Sequence, residues 1–359
     1  MKQGWKIKKL GEVLSLEYGK PLPKEKRIHK GLYPVYGANG IINRTNEYYV
    51  DETSIIVGRK GSAGEINYTE EKFWPLDVTY YTKFDKNELN LNFLYYLLSL
   101  LELPKLAKGV KPGINRNDIY AIKTFIPFLS EQKRIVSKLD QCFEAIDKAR
   151  ANVERNRQNA KELFQSRKND LFKKLEEDVS KVPLPSVCDE IFAGGDAPKG
   201  NYSKEKAEKF NIPIFANAVK DNGLYGYTNL NRVSKPSITI AARGSGTGHT
   251  EIRYEPFFPI VRLIVITPKI ETVNLEFLKY SIQNFDIMRS GSAIPQLTVP
   301  MIKGYSLPLP TLMNQKQIVN KLDDLKSQTQ SLESNYLQEL DALDELKKSI
   351  LQKAFNGEL

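Results

Sequence analysis

Two short loops carry basic and hydroxyl side chains among glycines, and each follows an apolar strand pattern. The first spans 59–62 (RKGS) after the apolar run 54–57, and the second spans 243–247 (RGSGT) after 237–240. Glycine lets the backbone approach another surface closely, and basic and hydroxyl side chains bind phosphate oxygens. A plain glycine-rich turn explains either loop alone, but the recurrence favours contacts with a DNA backbone. The predicted contact residues are Arg59, Lys60, Ser62, Arg243, Ser245 and Thr247.

Polar side chains in loops that differ between the two halves of the chain are candidates for contacts with base edges. Asparagine can pair bidentately with adenine, and Arg or Lys with guanine. Each candidate is also a common turn residue, so that alternative stays open. The candidates are Tyr36, Asn39, Asn217, Asn222 and Tyr225.

Further basic and polar residues in each half form a second candidate surface for DNA. In the first half they lie in the loop 108–118 (KGVKPGINRND), and in the second half they lie between 289 and 296. A solvated loop is the alternative interpretation. The candidate residues are Lys108, Lys111, Arg116, Arg289 and Gln296.

The elements that position these loops occur twice. Segment 126–141 (IPFLSEQKRIVSKLDQ) closely resembles 309–324 (LPTLMNQKQIVNKLDD), and Ile318 follows Ile135 by 183 residues. A repeat of this length indicates a duplicated domain, unlike the short units of a solenoid. In the first half, the patterns predict strands at 54–57, 78–84 and 122–126 and a buried helix at 89–101.

Each repeated segment begins a long helix with the same apolar seam. Alternating spacings of four and three continue over about four heptads, which is typical of a coiled coil. Helices of roughly 45 residues reach ~70 Å at 1.5 Å per residue. The seam positions are Ile135, Leu139, Cys142, Ile146, Ala149, Val153, Asn156, Ala160 and Leu163 in the first helix, and Ile318, Leu322, Leu325, Thr329, Leu332, Tyr336, Glu339, Leu343 and Leu346 in the second.

We expect the two seams to pack on each other in antiparallel orientation, because each helix leads away from its own globular part. The expected register places Asn156 opposite Thr329. The alternative is that each stripe docks on another protein or self-associates.

Composition limits the class of protein. A chain of 359 residues is longer than one core normally serves, so two or more domains are expected. The net charge of +10 fits a nucleic-acid binder without requiring one, and the last helix is slightly acidic. Two cysteines and two histidines suggest neither a disulfide framework nor a typical structural zinc site. No stretch approaches the ~20 apolar residues of a membrane span, so we expect a cytoplasmic protein without membrane contacts.

Catalytic motifs are missing or poor. The glycine-rich segment 191–200 (IFAGGDAPKG) lacks the spacing of a dinucleotide fingerprint, and no P-loop GxxxxGK[ST] occurs. The tetrapeptide Asn/Asp-Pro-Pro-aromatic, which is typical of amino-group DNA methyltransferases, is absent as well. His29 and His249 have no nearby nucleophile pattern. These motifs therefore give no support for an enzymatic function.

Together these segments resemble the specificity (S) subunits of type I restriction-modification systems. The resemblance covers essentially the whole chain and rests on both helix starts, the loops 58–64 and 242–248, and the C-terminal SILQKAFNGEL at 349–359. It implies an α+β fold in which two similar α/β target-recognition domains are separated by two long helices. These helices form an antiparallel coiled coil with pseudo-two-fold symmetry. The implied recognition domains are 1–128 and 181–310, and the helical spacer regions are 129–180 and 311–359.

The resemblance also implies a function. In this family each globular part recognises one half of a split DNA target, and the differing loops imply an asymmetric target here. The helices set the spacing and hold two methyltransferase (M) subunits, and restriction (R) subunits add cleavage. S-adenosylmethionine and ATP with Mg belong to those partners, so the resemblance implies that this chain is not an enzyme and binds no cofactor. We expect partner docking at the helix starts, at Glu131, Gln132, Lys133, Asn314, Gln315 and Lys316.

Two other functions compete with this one. A self-contained DNA adenine methyltransferase would bind S-adenosylmethionine or show activity as an isolated chain. A coiled-coil scaffold without a DNA function would give no sequence-specific footprint.

Overall fold

The chain folds into two compact units that each combine a globular part with portions of both long helices. The computed structural model describes residues 5–244, 246–285 and 296–359. Unit 1 comprises Met1–Arg155 with Leu337–Leu359, and unit 2 comprises Asn156–Tyr336.

Unit 1 begins with a strand that pairs with the last strand before the first long helix. Its strands are β1 (Lys6–Lys9), β2 (Ser15–Tyr18), β3 (Tyr33–Gly37), β4 (Gly40–Thr45), β5 (Ser54–Gly58), β6 (Ile66–Thr69), β7 (Trp74–Pro75), β8 (Thr79–Lys83) and β9 (Lys123–Ile126). Its helices are α1 (Leu91–Leu100), α2 (Arg116–Tyr120) and the first part of α3 (Leu129–Asp178). The three strands and the buried helix predicted from sequence are confirmed as β5, β8, β9 and α1.

The strands of unit 1 form three sheets. The main sheet has the order β2-β8-β5-β6 and is antiparallel, and a second sheet has the order β4-β3-β7. All five residues of β5 are buried, which explains its continuous apolar sequence. Helix α1 covers this sheet, and Asn90 caps it by accepting the N–H of Phe93 at 3.0 Å.

Unit 2 repeats this architecture. Its sheets have the orders β11-β18-β15-β16 and β12-β14-β13-β17, and β10 pairs with β19. The strands are β10 (Lys181–Pro183), β11 (Cys188–Ala193), β12 (Tyr202–Ser203), β13 (Ile212–Phe215), β14 (Leu224–Thr228), β15 (Ser237–Ile240), β16 (Thr250–Arg253), β17 (Phe258–Pro259), β18 (Ile264–Pro268) and β19 (Ser306–Pro308). The helices are α4 (Leu275–Ile282), α5 (Val299–Lys303), the last part of α3 and the first part of α6 (Leu312–Phe355). The predicted duplication is confirmed.

Each globular part packs against two helix segments. One is the start of the long helix that follows it in the chain, and the other is the C-terminal end of the other long helix. In unit 1, Phe93 of α1 lies 5.0 Å from Phe355 at the end of α6, measured between ring centroids. In unit 2, Phe277 of α4 lies 5.9 Å from Phe172 near the end of α3. Phe93 and Phe277 are equivalent in the duplication, and so are Phe172 and Phe355. This exchange requires the two helices to run antiparallel in each unit, as predicted.

The predicted register of the helix pair is wrong. In unit 1, Arg150 forms an ion pair with Asp344, and Asp147 with Lys347 at 3.2 Å. The register that places Asn156 opposite Thr329 would also place Arg150 opposite Asn335. The observed partner, Asp344, lies nine residues further along α6. A two-fold repeat is compatible with any register, so the contacts of the helix ends with the globular parts must select one.

The buried seam departs from a strict heptad pattern. Ile135, Leu139, Ile146, Val153 and Ala160 are buried as predicted. An ideal α-helix has 3.6 residues per turn and drifts against a 3.5-residue repeat, so the buried face shifts by one position along each helix. Predicted seam residues that are instead exposed are Asn156, Leu163, Leu332, Glu339 and Leu346.

Candidate nucleic-acid interface

The two predicted DNA surfaces of unit 1 lie side by side. We call the loop after β5 (residues 59–64) the first loop and residues 108–115 the second loop. Gly61 donates its N–H to the carbonyl of Pro112 at 2.9 Å, and Ile114 donates to the carbonyl of Arg59 at 3.0 Å. Lys60 and Gly113 form an antiparallel bridge. The two loops therefore form one surface.

Unit 2 contains the same pairing. Leu297 donates its N–H to the carbonyl of Ala242 at 2.8 Å, and Arg243 forms an antiparallel bridge with Gln296. The Nη2 of Arg243 donates to Oε1 of Gln296 at 3.3 Å. Arg243 therefore occupies the position that Lys60 occupies in unit 1, and both side chains are exposed.

Glycine is required where the first loop turns back. Gly64 has φ of +87°, and a Cβ there would lie 2.4 Å from the backbone nitrogen of Pro104. Gly248 of unit 2 has φ of 94°. Gly64 and Gly248 make equivalent backbone bonds, to Gly58 and Ala241 respectively, each at 2.7 to 2.8 Å. These positions shape the loop, so a side chain at either would displace the basic residue before it.

A tyrosine that the sequence analysis missed lies beneath the basic residues of unit 1. The guanidinium carbons of Arg59 and Arg116 lie over the ring of Tyr18, at 5.2 Å and 5.1 Å from its centroid. Arg59 donates to the carbonyl of Asp77 at 2.8 Å and 3.1 Å, so its guanidinium is held in place. The Tyr18 side chain is 47% exposed. Its only sequence signal is an aromatic residue before a Gly-Lys pair.

Tyr80 joins this cluster to the second loop. Its ring lies 5.2 Å from that of Tyr18 in an edge-on arrangement, and its hydroxyl donates to the carbonyl of Ile114 at 3.3 Å. Burial raises the pKa of Tyr80, with a further contribution from Tyr18, so its hydroxyl stays protonated at neutral pH. Cations over an aromatic face gain about 0.5–1 kcal/mol at an exposed site. The cluster therefore presents two oriented positive charges.

Three lysines and one serine among the predicted contacts of unit 1 differ in exposure and pairing. Lys60 and Lys111 are exposed. Lys108 is also exposed but pairs with Asp118 at 3.1 Å, which partly neutralises it. Ser62 is half-buried within the turn.

The side chain of Asn217 positions the backbone of Arg243. Its Nδ2 donates to the carbonyl of Arg243 at 2.9 Å, and its Oδ1 accepts the N–H of Arg243 at 3.2 Å and that of Ala242. Both ends of the amide are therefore used within the protein. The predicted bidentate contact of Asn217 with a base is corrected to a role in positioning Arg243, because a contact through both ends of the amide would have to break these bonds.

A cavity of about 280 Å³ lies next to Arg243 in unit 2 and is bordered by Gly194, Gly195, Asp196 and Arg262. The backbone of Arg262 has φ of 59° and donates to the carbonyl of Gly194 at 2.9 Å. A non-glycine residue in this left-handed region is strained and persists only where its surroundings hold it. The glycine pair of 191–200, rejected above as a cofactor motif, thus borders the candidate interface.

Two predicted contact residues are buried. Tyr36 is 4% exposed, packs edge-on against Phe73 and has its pKa raised by burial. A base contact by Tyr36 is therefore ruled out, because its side chain faces the core. Thr247 is 5% exposed, and its hydroxyl donates to the carbonyl of Gly244 at 2.7 Å. It shapes the loop, so its predicted phosphate contact is corrected as well.

The other candidate base contacts are Asn39 and Asn222, which lie between strands, and Tyr225, which lies in β14. Asn39 is exposed in the turn between β3 and β4. Asn222 is exposed and has φ of 51°, a conformation that asparagine tolerates. Tyr225 is half-buried, with the Nζ of Lys204 3.5 Å from its ring centroid. Ser245 and Arg289 lie outside the described residues.

The residues expected to dock partner subunits divide into two groups. Lys133, Asn314 and Lys316 are exposed, and Glu131 forms an ion pair with Arg134 at 2.7 Å. Gln132 and Gln315 are fully buried, with both ends of each amide bonded to backbone groups. A buried side chain offers no surface to a partner, so the docking expectation for these two residues is corrected.

The sequence matches the family described as the type I restriction modification DNA specificity domain, over residues 2–155 and again over 161–342. The chain belongs to this family. A relative in Mycoplasma pneumoniae named as a type I specificity subunit is 30% identical over 282 residues, covering 74% of this chain and 82% of the relative. The EcoDI specificity subunit of Escherichia coli is 23% identical and covers 99% and 88% of the two chains. This assignment to specificity subunits confirms the resemblance, and it places the chain with recognition subunits and not with catalytic ones.

Solved structures share the fold of this specificity-family member. One of these structures is described as the basis of complex assembly and conformational transition of the type I restriction-modification system. It superposes with a TM-score of 0.75 at 18% identity, and the match covers 100% of this chain and 99% of the other. The HsdS subunit from Thermoanaerobacter tengcongensis superposes with a TM-score of 0.66 at 19% identity, with coverage of 100% and 98%. The predicted α+β fold with two long helices is confirmed.

Two kinds of feature do not occur within the described ranges. No helix there is long and apolar enough to cross a membrane. No group of three or more His, Cys, Asp or Glu side chains there could hold a metal ion.

Proposed function

We propose that this chain is the DNA-recognition subunit of a type I restriction-modification complex, and that each globular part recognises one half of a bipartite double-stranded target. The loop pair carries the proposal, because it recurs in both units with a basic residue at the equivalent position, Lys60 or Arg243. Its neighbours differ, with Tyr18 in unit 1 and Gln296 in unit 2. One framework with different neighbours supports two different half-sites, and hence an asymmetric target.

In this mechanism the exposed basic residues bind phosphates and fix the position of each unit on the duplex. Phosphate contacts carry no sequence information themselves, so the neighbouring loops recognise the base edges in the major groove. The oriented guanidinium groups of Arg59 and Arg116 are suited to phosphate or guanine. The excess of positive charge favours association with DNA in general.

The proposal assigns the chemistry to other subunits. Two methyltransferase subunits with S-adenosylmethionine and restriction subunits with ATP and Mg would act on the bound DNA, and this chain would bind no cofactor. The exposed residues Lys133, Asn314 and Lys316, with Glu131, are the proposed docking points. Such a complex would work in the cytoplasm, where the DNA lies.

Mapping of methylated adenine in the host genome tests the proposal. The full chain would be expressed with the methyltransferase subunit of its own host, and the modified motif would be compared with that of a strain lacking this chain. We expect a motif with two different half-sites separated by a fixed number of unspecified bases. A continuous motif, or modification that persists without the chain, would refute the proposal.

Docking is tested separately by co-purification. Lys133→Glu and Lys316→Glu reverse an exposed charge at each helix start, so we expect less methyltransferase subunit to co-purify. Lys161→Glu, at an exposed position in the middle of α3, is the matched control. Equal recovery in all three variants would show that the helix starts are not the docking points.

A further inference from the structure

The same buried glutamine joins a long helix to a globular part in both units. In unit 1, Oε1 of Gln132 accepts the N–H of Asn90 at 2.8 Å. Its Nε2 donates to the carbonyls of Glu88 at 2.9 Å and Pro127 at 2.8 Å. Gln132 is fully buried, and three backbone groups from two segments therefore depend on one side chain.

Gln315 makes the equivalent bonds in unit 2. Its Oε1 accepts the N–H of Asn274 at 2.7 Å, and its Nε2 donates to the carbonyls of Thr272 at 3.1 Å and Pro310 at 2.9 Å. Asn274, like Asn90, caps the helix that covers the main sheet. Each glutamine thus holds the start of that covering helix, α1 or α4, to the start of the adjacent long helix.

A second connection joins the same two helices in each unit. Tyr96 of α1 donates to Asp140 of α3 at 2.5 Å, and Tyr280 of α4 donates to Asp323 of α6 at 2.5 Å. Burial raises the pKa of both tyrosines, and the carboxylate acceptors raise it further, so the hydroxyls remain donors.

The two connections are well separated along each long helix. The aspartate follows the glutamine by eight positions in both cases, which corresponds to about 12 Å at 1.5 Å per residue. One connection would act as a pivot, whereas two separated connections fix the angle between the covering helix and the long helix. The glutamine supplies the connection nearest the point where the chain leaves the globular part.

Packing alone does not account for a glutamine at these positions. A leucine of similar size would fill the space but would leave an N–H and two carbonyls in the interior without their present partner, which is costly. The directional bonds of an amide, in contrast, define one orientation. The same choice at both junctions indicates that the orientation itself matters.

We propose that Gln132 and Gln315 are positioning residues that fix the angle of each recognition domain on its long helix, and thereby the number of base pairs between the two half-sites. This inference rests on the proposed function. It makes the junction a determinant of spacing, separate from the loops that determine the sequence of each half-site.

The test compares methylated motifs between variants of the full chain in its complex with the host methyltransferase subunit. We expect Gln132→Leu and Gln315→Leu to retain both half-site sequences. Sites with one base pair more or fewer between the half-sites should be methylated roughly tenfold more often than with the wild type, because the directional bonds that fix the angle of the domain are lost. Gln141→Leu and Gln317→Leu, at exposed positions on the same helices, are matched controls and should keep the wild-type spacing.

Tyr96→Phe and Tyr280→Phe provide a second measurement in case the leucine variants do not fold. They keep the ring and remove only the hydroxyl bond to the long helix, and we expect the same broadening of the spacing to a smaller extent. The inference would be overturned if the leucine variants fold and methylate less DNA but keep the wild-type spacing. It would also be overturned if the leucine variants do not fold and the phenylalanine variants keep the wild-type spacing. Absence of any split motif with the wild-type chain would instead refute the proposed function.

Discussion

The side-chain amide of Asn217 holds the backbone of Arg243 at both of its polar groups. The N–H of Arg243 donates to Oδ1 at 3.2 Å, and the carbonyl of Arg243 accepts from Nδ2 at 2.9 Å. The exposed guanidinium of Arg243 therefore extends from a fixed backbone. A side chain that starts from an ordered position has less freedom to lose when it binds a ligand.

Arg243→Ala should weaken binding to every DNA sequence to a similar extent. Since a phosphate contact releases counterions, the slope of log affinity against log salt concentration should fall by about one unit. Fluorescence-anisotropy titrations at several salt concentrations measure both quantities. Lys321→Ala, an exposed residue of α6, is the control. Unchanged affinity and slope for the arginine variant would contradict a phosphate contact.

Asn217→Ala should weaken binding indirectly, by releasing the backbone of Arg243. We expect a loss of about threefold to tenfold, corresponding to roughly 1 kcal/mol for lost hydrogen bonds. In an Arg243→Ala background the same change should have little further effect, because the side chain that it positions is gone. Equal losses in both backgrounds would mean that Asn217 contacts DNA itself, as the sequence first suggested.

Tyr18→Leu should weaken recognition of one half-site only. The substitution removes the ring beneath Arg59 and Arg116, and two cation–π contacts of about 0.5–1 kcal/mol each correspond to roughly fivefold to thirtyfold in affinity. The measurement uses duplexes in which one half-site at a time is replaced by an unrelated sequence. Tyr18→Phe keeps the ring and should bind like the wild type. A loss that is the same for every duplex would argue against a role in sequence recognition.

Phe172→Ala and Phe355→Ala should each destabilise one unit. Both side chains are buried against the globular part, and removal of a buried phenylalanine side chain typically costs about 3–5 kcal/mol. Hydrogen exchange followed by mass spectrometry should locate the loss in unit 2 for Phe172 and in unit 1 for Phe355. Leu163→Ala, at an exposed position of α3, should change little. Loss of protection in both units from either variant would mean that the units do not unfold separately.

Thiol labelling should distinguish the two cysteines. Burial raises the pKa of Cys188 to about 12, whereas Cys142 is half-buried on α3. The thiolate is the reactive form, and at pH 8 Cys188 stays protonated and inaccessible. Iodoacetamide should therefore label Cys142 much faster in the native protein, and both cysteines in urea. Rapid labelling of Cys188 in the native protein would indicate that the core of unit 2 opens locally.

Several features of the candidate site could not be derived from the sequence. Tyr36 and Thr247 have the residue types of contacts but face the interior, and Tyr18 was missed because its arginine neighbours lie far away in the chain. The predicted register of the helix pair was also wrong, because the heptad pattern is compatible with several registers. In each case the outcome depends on contacts between residues that are distant in the sequence, and no spacing pattern predicts such contacts.

The duplication, the two long helices, the main strands and the glycine-containing basic loops can all be predicted from the amino-acid sequence. These features depend on local periodicity and on turn-forming residues, both of which are determined by residues close together in the sequence. Three other features became evident from the folded chain. The two predicted DNA-binding loops of each half form one surface, Gln132 and Gln315 are internal connections, and Phe355 and Phe172 each complete the core of the globular part beside which their helix ends. Those outcomes depend on burial and on hydrogen bonds between distant segments, which exist only once the chain has packed.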